Sequence, residues 1–186
     1  MKYKVLLINP IANDKAAYIR IGRCQTQAQP GIECWPPVDL ALIGASLKLL
    51  RGVNDVQLYD AQINRDYQAM LQFISNYVPD IIILNCTTPT FFNDIELAKD
   101  IKNQKGDSIV IFFGLHATAR PMEIMNSLLV DCCVIGEPED AIQSVIEQYI
   151  STGKKEFGNI ENILYLSNDN EIIDTKRNAH KAHVFR

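Results

Sequence analysis

The chain has 186 residues, 47% of them hydrophobic, and a formal net charge of -4, which suits one well-filled core and a little chain beyond one average domain. An acidic balance without a basic run, or any interleaving of basic and aromatic residues, argues against a nucleic-acid partner. No apolar run approaches the ~20 residues that span a bilayer, and Met1-Lys2-Tyr3-Lys4 leads into a strand rather than a secretory signal, so a cytoplasmic protein without membrane contact is expected.

The first strand reads from Lys4 to Asn9. From Pro10 to Pro37 the chain carries Pro10, Gly22, Pro30, Gly31, Pro36 and Pro37 with no sustained period, longer than an ordinary loop and therefore functional or mobile. Pro36-Pro37 opens a helix to about Arg51 with Leu40, Ile43, Leu47 and Leu50 on its apolar stripe, and Gly52 stops it. A second strand, Val56 to Asp60, precedes a helix from about Arg65 to Tyr77. The third strand is Ile81 to Cys86, an uninterrupted β-branched run that stops at Thr87-Thr88-Pro89-Thr90; the third helix is Asp94 to Gln104. Ile109 to Phe113 is the fourth strand, followed by a short helix started by Pro121. Cys132 to Ile135 is the fifth strand, with a helix from about Glu139 to Tyr149 after it.

Strands alternating with helices predict a doubly wound five-stranded parallel sheet, flavodoxin-like or Rossmann-like, over residues 1–155. Ile163 to Ser167 and Glu171 to Thr175 around Asn168-Asp169-Asn170 predict a β-hairpin extension over 156–175. The basic stretch 176–186 reads as a frayed tail or the start of a linker.

In open α/β sheets a ligand sits outside the carboxyl ends of the strands. Three loops there have suitable chemistry. Thr87, Thr88, Thr90 and Thr118 offer hydroxyls, Gly114 and Gly136 permit close backbone approach, and Pro89 stiffens its turn. These hydroxyls either bind a large, polar, phosphate-bearing ligand or cap the strand ends. Catalysis by the chain's own side chains is not expected: three histidines placed as His116, His180 and His183 assemble no nucleophile, base and orienting group. His116 is either a loop histidine held by hydrogen bonds or a ligand contact, and His180 and His183 have an H-x-x-H spacing without a third metal ligand nearby. Glu137 and Glu139 favour a helix start through the helix dipole.

Other fingerprints are missing. There is no G-x-G-x-x-G after the first strand and no G-x-x-x-x-G-K-[ST] anywhere. A phosphorylation receiver needs an aspartate where Cys86 ends the third strand. Of five cysteines, Cys86, Cys132 and Cys133 lie in apolar strands as small hydrophobes, and Cys24 and Cys34 fall in the long loop, Cys24 beside Arg23. No disulfide framework is expected.

Taken in order, Asn9-Pro10, Pro36-Pro37 with Leu40-Ala41-Leu42-Ile43-Gly44, Asp60-Ala61, Cys86-Thr87-Thr88-Pro89-Thr90, Gly114-Leu115-His116-Ala117-Thr118 and Gly136-Glu137-Pro138-Glu139 resemble the N-terminal cobalamin-binding domain of radical S-adenosylmethionine enzymes, in particular the group of the anaerobic magnesium-protoporphyrin monomethyl ester cyclase. The resemblance implies a cobalamin held by Asn9, Pro10, Thr87, Thr88, Pro89, Thr90, Gly114, His116, Ala117, Thr118, Gly136 and Glu137. It also implies a radical catalytic domain in cis or trans for methyl transfer or oxidative cyclisation. Two departures stand out: no D-x-H-x-x-G follows the first strand, so no histidine there ligates cobalt, and Phe113 stands where the family has the first glycine of G-G-x-H. The C-x-x-x-C-x-x-C of the radical enzymes is missing, so an iron–sulfur cluster and S-adenosylmethionine are expected only in a partner domain. Two other readings stay open: a small α/β transferase or hydrolase for a nucleotide-like substrate using His116 and Glu137, and a ligand-free interaction module.

Overall fold

The computed structural model describes residues 2–12, 15–20 and 35–175. The expectations for Cys24, Cys34, His180, His183 and the 176–186 tail lie outside the described residues. Five parallel strands, β1 (Tyr3–Asn9), β2 (Val53–Asp60), β3 (Ile81–Asn85), β4 (Ile109–Phe113) and β5 (Cys132–Val134), stand in the order β2-β1-β3-β4-β5. The order reverses between β1 and β3, and that crevice is where a doubly wound sheet accepts a ligand.

The five-stranded expectation is too small. β6 (Ile163–Leu166) pairs antiparallel with β5, and β7 (Ile172–Asp174) antiparallel with β6, giving one mixed seven-stranded sheet. The reason lies in β6, whose four residues are all buried. Ile163 and Tyr165 enter one apolar layer and Leu164 and Leu166 the other. A strand that is apolar on both faces has to be covered on both, and the margin of the existing layered core provides that cover.

Alternate side chains of the parallel strands feed two cores. Val5, Leu7, Ile81, Ile83, Ile109 and Ile111 pack under α1 (Val38–Leu47) and α7 (Glu139–Thr152). Leu6, Ile8, Ile82, Leu84, Val110 and Phe112 pack on the other face. There α3 (Tyr67–Tyr77), α4 (Phe91–Gln104), α5 (Leu115–Ala119) and α6 (Pro121–Met125) cover them.

Capping chemistry moves several boundaries. In place of one helix from Arg65, the chain first turns through α2 (Ala61–Asn64), with the Asp60 side chain accepting from the Gln62 N–H. It then restarts at Tyr67, where Asp66 accepts from the Ala69 N–H. A 3₁₀ turn, Thr88–Thr90, brings α4 in at Phe91 rather than Asp94. At the opposite end of the sheet, the buried Asp131 accepts from Lys102 Nζ at 2.6 Å, Lys155 Nζ at 2.5 Å and the Val110 N–H at 2.8 Å. Among the described residues no helix is long and apolar enough to cross a membrane.

Candidate functional site

At the carboxyl ends of β1 and β2, Asn9 is a connector. Its amide donates to Asp60 Oδ1 at 2.9 Å, and its carbonyl accepts from Gln62 Nε2 at 3.1 Å. Burial raises the Asp60 carboxyl above its usual range, against the lowering pull of the Gln62 N–H and the Asn9 amide. The Pro10 carbonyl accepts from Gln62 Nε2 at 3.4 Å and Arg20 Nη2 at 3.5 Å. Asn9 and Pro10 therefore place the β1 loop through contacts inside the protein.

An ion pair lies beneath the crevice. Arg20, 5% exposed, makes a two-pronged contact with Asp94, 1% exposed, each nitrogen–oxygen distance being 2.8 Å. Its Nη1 also donates to the Asn85 carbonyl at 2.7 Å and to Thr90 Oγ1 at 3.1 Å. The Asn85 amide donates to the Arg20 carbonyl at 3.3 Å and to Asp39 Oδ2 at the start of α1. None of Arg20, Asp39, Asn85 and Asp94 is among the site residues expected from the sequence, where Asp94 figures only as a helix start. Thr90 and Asp94, four apart at a helix start, were a legible pair; Arg20 lies in an aperiodic segment that gives no sign of its partner.

The Thr87–Thr90 loop divides into two roles. Thr87 and Thr90 are fully buried and bonded Oγ1 to Oγ1 at 2.8 Å, and the Thr90 hydroxyl donates to Asp94 Oδ2 at 2.6 Å. They cap the 3₁₀ turn. Thr88 and Pro89 are exposed, so within this loop only Thr88 turns a hydroxyl outward. Thr90→Val is accordingly expected to cost about 1–3 kcal/mol of stability, because the buried carboxylate loses a donor. Thr88→Val is expected to cost less, about 1 kcal/mol or under, because from an exposed position it removes a single 3.2 Å contact to His116 Nδ1. Urea denaturation and calorimetry check both, and equal effects at the two positions would refute the division.

In the loop after β4, Gly114 has φ +105° and ψ -168°, and a Cβ placed there would lie 2.2 Å from Asn85 Oδ1. Phe113, in place of a glycine, is 2% exposed and sits in the core on the α1 and α7 side. Ala117 is fully buried. Thr118 Oγ1 donates to the Gly114 carbonyl at 2.9 Å and accepts the Gly136 N–H at 2.9 Å. That hydroxyl ties the β4 and β5 loops together. Gly136, at φ +81°, is half-buried, and Glu137 beside it is exposed.

His116 is 3% exposed, and its ring stacks on Phe91 with centroids 4.4 Å apart. Nδ1 lies 3.2 Å from Thr88 Oγ1, and Nε2 lies 3.3 Å from Glu123 Oε2. Burial lowers its pKa from the ordinary 6.5, the Glu123 carboxylate opposing that shift. A lowered folded-state pKa means that the unfolded chain takes up the proton first on acidification, so this histidine's contribution to stability is lost as pH falls through about 6.5. We expect the wild type to lose more unfolding free energy than His116→Asn between about pH 7.5 and about pH 5.5. Urea titrations at the two pH values measure it; equal losses would refute the assignment.

The family model of the B12 binding domain matches residues 33–146, well over half of the chain. The chain belongs to the B12-binding domain family. Its fold is similar to the cobalamin-dependent S-adenosylmethionine radical enzyme OxsB with aqua-cobalamin and S-adenosylmethionine bound, with a TM-score of 0.65 and 16% identity over 96% of this chain and 23% of that one. The apo form of OxsB gives a TM-score of 0.61 at 14% identity. An uncharacterized methyltransferase of Pyrococcus horikoshii is 26% identical over 122 residues, covering 64% of this chain and 26% of the relative. This B12-binding domain thus spans about a quarter of the length of the proteins it matches.

Proposed function

We propose that this B12-binding domain holds cobalamin across the carboxyl edge of the sheet, with one corrin face open to a radical S-adenosylmethionine domain supplied in cis or in trans. The family match over residues 33–146 carries the reading. The outward groups at that edge fit a cofactor with a polar rim: the Thr88 hydroxyl, the Gly136 backbone and Glu137 are reachable from solvent. Asn9, Thr87, Thr90 and Thr118 hold the loops in place from beneath. When bound, cobalamin supplies a cobalt centre suited to methyl transfer or to electron chemistry in an oxidative cyclisation.

The rim supports an open face. Ile63 in α2, Phe92 in the first turn of α4, Leu115 at the start of α5 and Met122 in α6 are 74%, 80%, 48% and 48% exposed, all just beyond strand carboxyl ends. Exposed large apolar side chains on the loops and first helical turns at this edge are the kind of residue an interaction surface uses. The iron–sulfur cluster and S-adenosylmethionine belong in this reading to the partner domain. A transferase or hydrolase built on His116 and Glu137 finds no support: the imidazole is buried under Phe91 beside Glu123, while Glu137 is on a separate loop.

Equilibrium dialysis with hydroxocobalamin tests the proposal. Retention with a corrin spectrum at tens of micromolar cobalamin, about -6 kcal/mol of binding, is expected. No retention at that concentration would overturn it.

A further inference from the structure

Thr88, His116 and Glu123 form a line from solvent into the protein and back to the surface. The exposed Thr88 hydroxyl lies 3.2 Å from Nδ1 of the buried ring, and Nε2 on its far side lies 3.3 Å from Glu123 Oε2. Phe91 lies against the ring and limits its rotation. Nε2 has no aligned hydrogen-bond partner, but a bare lone pair there would face the Glu123 carboxylate oxygen 3.3 Å away, so the electrostatics assign the proton of the neutral ring to Nε2. Nδ1 is then an acceptor and the Thr88 hydroxyl its donor. With that proton turned inward, Thr88 shows bare oxygen lone pairs to the site.

We propose that Thr88 is a specificity-determining acceptor for a ligand N–H donor, set in that role by His116, and that it selects a primary carboxamide on the corrin rim over an anionic group. The inference rests on the cobalamin reading and assigns the chemistry of one contact in it. A phosphate or carboxylate oxygen presented to Thr88 meets another acceptor, whereas an amide N–H is matched. Protonating His116 reverses the polarity: Nδ1–H then donates to Thr88 Oγ1, the hydroxyl proton turns outward, and the acceptor is lost. The charged groups that act on the ring are Glu123 and Arg120 around α6 and Asp94 in α4. Burial favours the neutral ring at pH 7, the state in which the acceptor is available.

Dialysis of cyanocobalamin, whose cyanide-capped cobalt carries no titrating water, tests this across the histidine range. Wild-type affinity should fall about fivefold to tenfold between about pH 7.5 and about pH 5.5, the scale of one hydrogen bond. Thr88→Val should be weaker at the higher pH by the same factor and flat with pH, and Thr88→Ser should restore both affinity and slope. Among the monocarboxylic derivatives of cobalamin, each with one side-chain amide hydrolysed, at least one should lose affinity for the wild type and not for Thr88→Val. Because His116 remains buried in Thr88→Val, that variant should keep the wild-type pH dependence of folding stability, separating ligand contact from a structural role. Cobalamin retention with a flat wild-type profile, or with an unchanged profile in Thr88→Val, overturns this inference and leaves the cobalamin reading standing. No retention under any condition overturns the cobalamin reading and this inference with it.

Discussion

Asp94→Ala is expected to destabilise the protein by about 3–5 kcal/mol, the cost of removing one partner of a buried ion pair and leaving the other charge inside. Asp94 is 1% exposed, takes both prongs of the Arg20 guanidinium at 2.8 Å and accepts the Thr90 hydroxyl at 2.6 Å. For a chain of this size the change lowers the melting temperature by roughly 6–20 °C. Removing both charges with matched apolar volume, Arg20→Met with Asp94→Leu, should recover most of that loss, because no charge is then left uncompensated. Urea denaturation of the single and double variants measures both. A single-variant cost under about 1 kcal/mol would mean that solvent reaches the pair. The same variant tests the placement of residues 15–20, since Arg20 also donates to the Asn85 and Pro10 carbonyls and so pins that segment beside the β1 and β3 ends.

Gly114→Ala is expected to cost about 2–6 kcal/mol and to abolish cobalamin retention. Two penalties add: about 1–3 kcal/mol for a side chain at a backbone conformation that only glycine adopts readily, and about 1–3 kcal/mol for overpacking. The added Cβ would sit 2.2 Å from Asn85 Oδ1 and 2.8 Å from the Cys86 carbonyl. Neither neighbour yields freely. Asn85 is committed to the Arg20 carbonyl and Asp39, and the Cys86 carbonyl accepts the His116 N–H at 3.2 Å. Relief of the clash therefore displaces His116 and, through it, Thr88. Denaturation together with dialysis measures the two effects. An alanine variant within about 1 kcal/mol of wild type that still retains cobalamin would show that the loop adopts another conformation in solution.

The central strands β3, β4 and β5 were legible because each is buried on both faces and reads as an unbroken apolar run, and Ile109 to Phe113 matched its expected bounds, whereas the edge strand β2 is mostly polar and buries only Val56. The site was less legible. Gly114 and Gly136 were read as places of close backbone approach; what the structure adds is that both have positive φ. The four threonines could not be sorted by sequence, since a hydroxyl that caps and one that faces a ligand have the same side chain. Burial separates them, hiding Thr87 and Thr90 and leaving Thr88 outside.

Local periodicity and turn chemistry by themselves determined that this chain is a doubly wound α/β domain with its loops gathered at one edge, because alternation, apolar runs and caps are short-range properties. Tertiary structure decided the rest. The hairpin became strands six and seven only because β5 had a free margin and β6 needed cover on both faces. Arg20 found Asp94 across 74 positions, and Thr88 found His116 across 28. Such pairings follow from which strand ends the crossovers bring together, and composition or spacing along the chain carries no record of that distance.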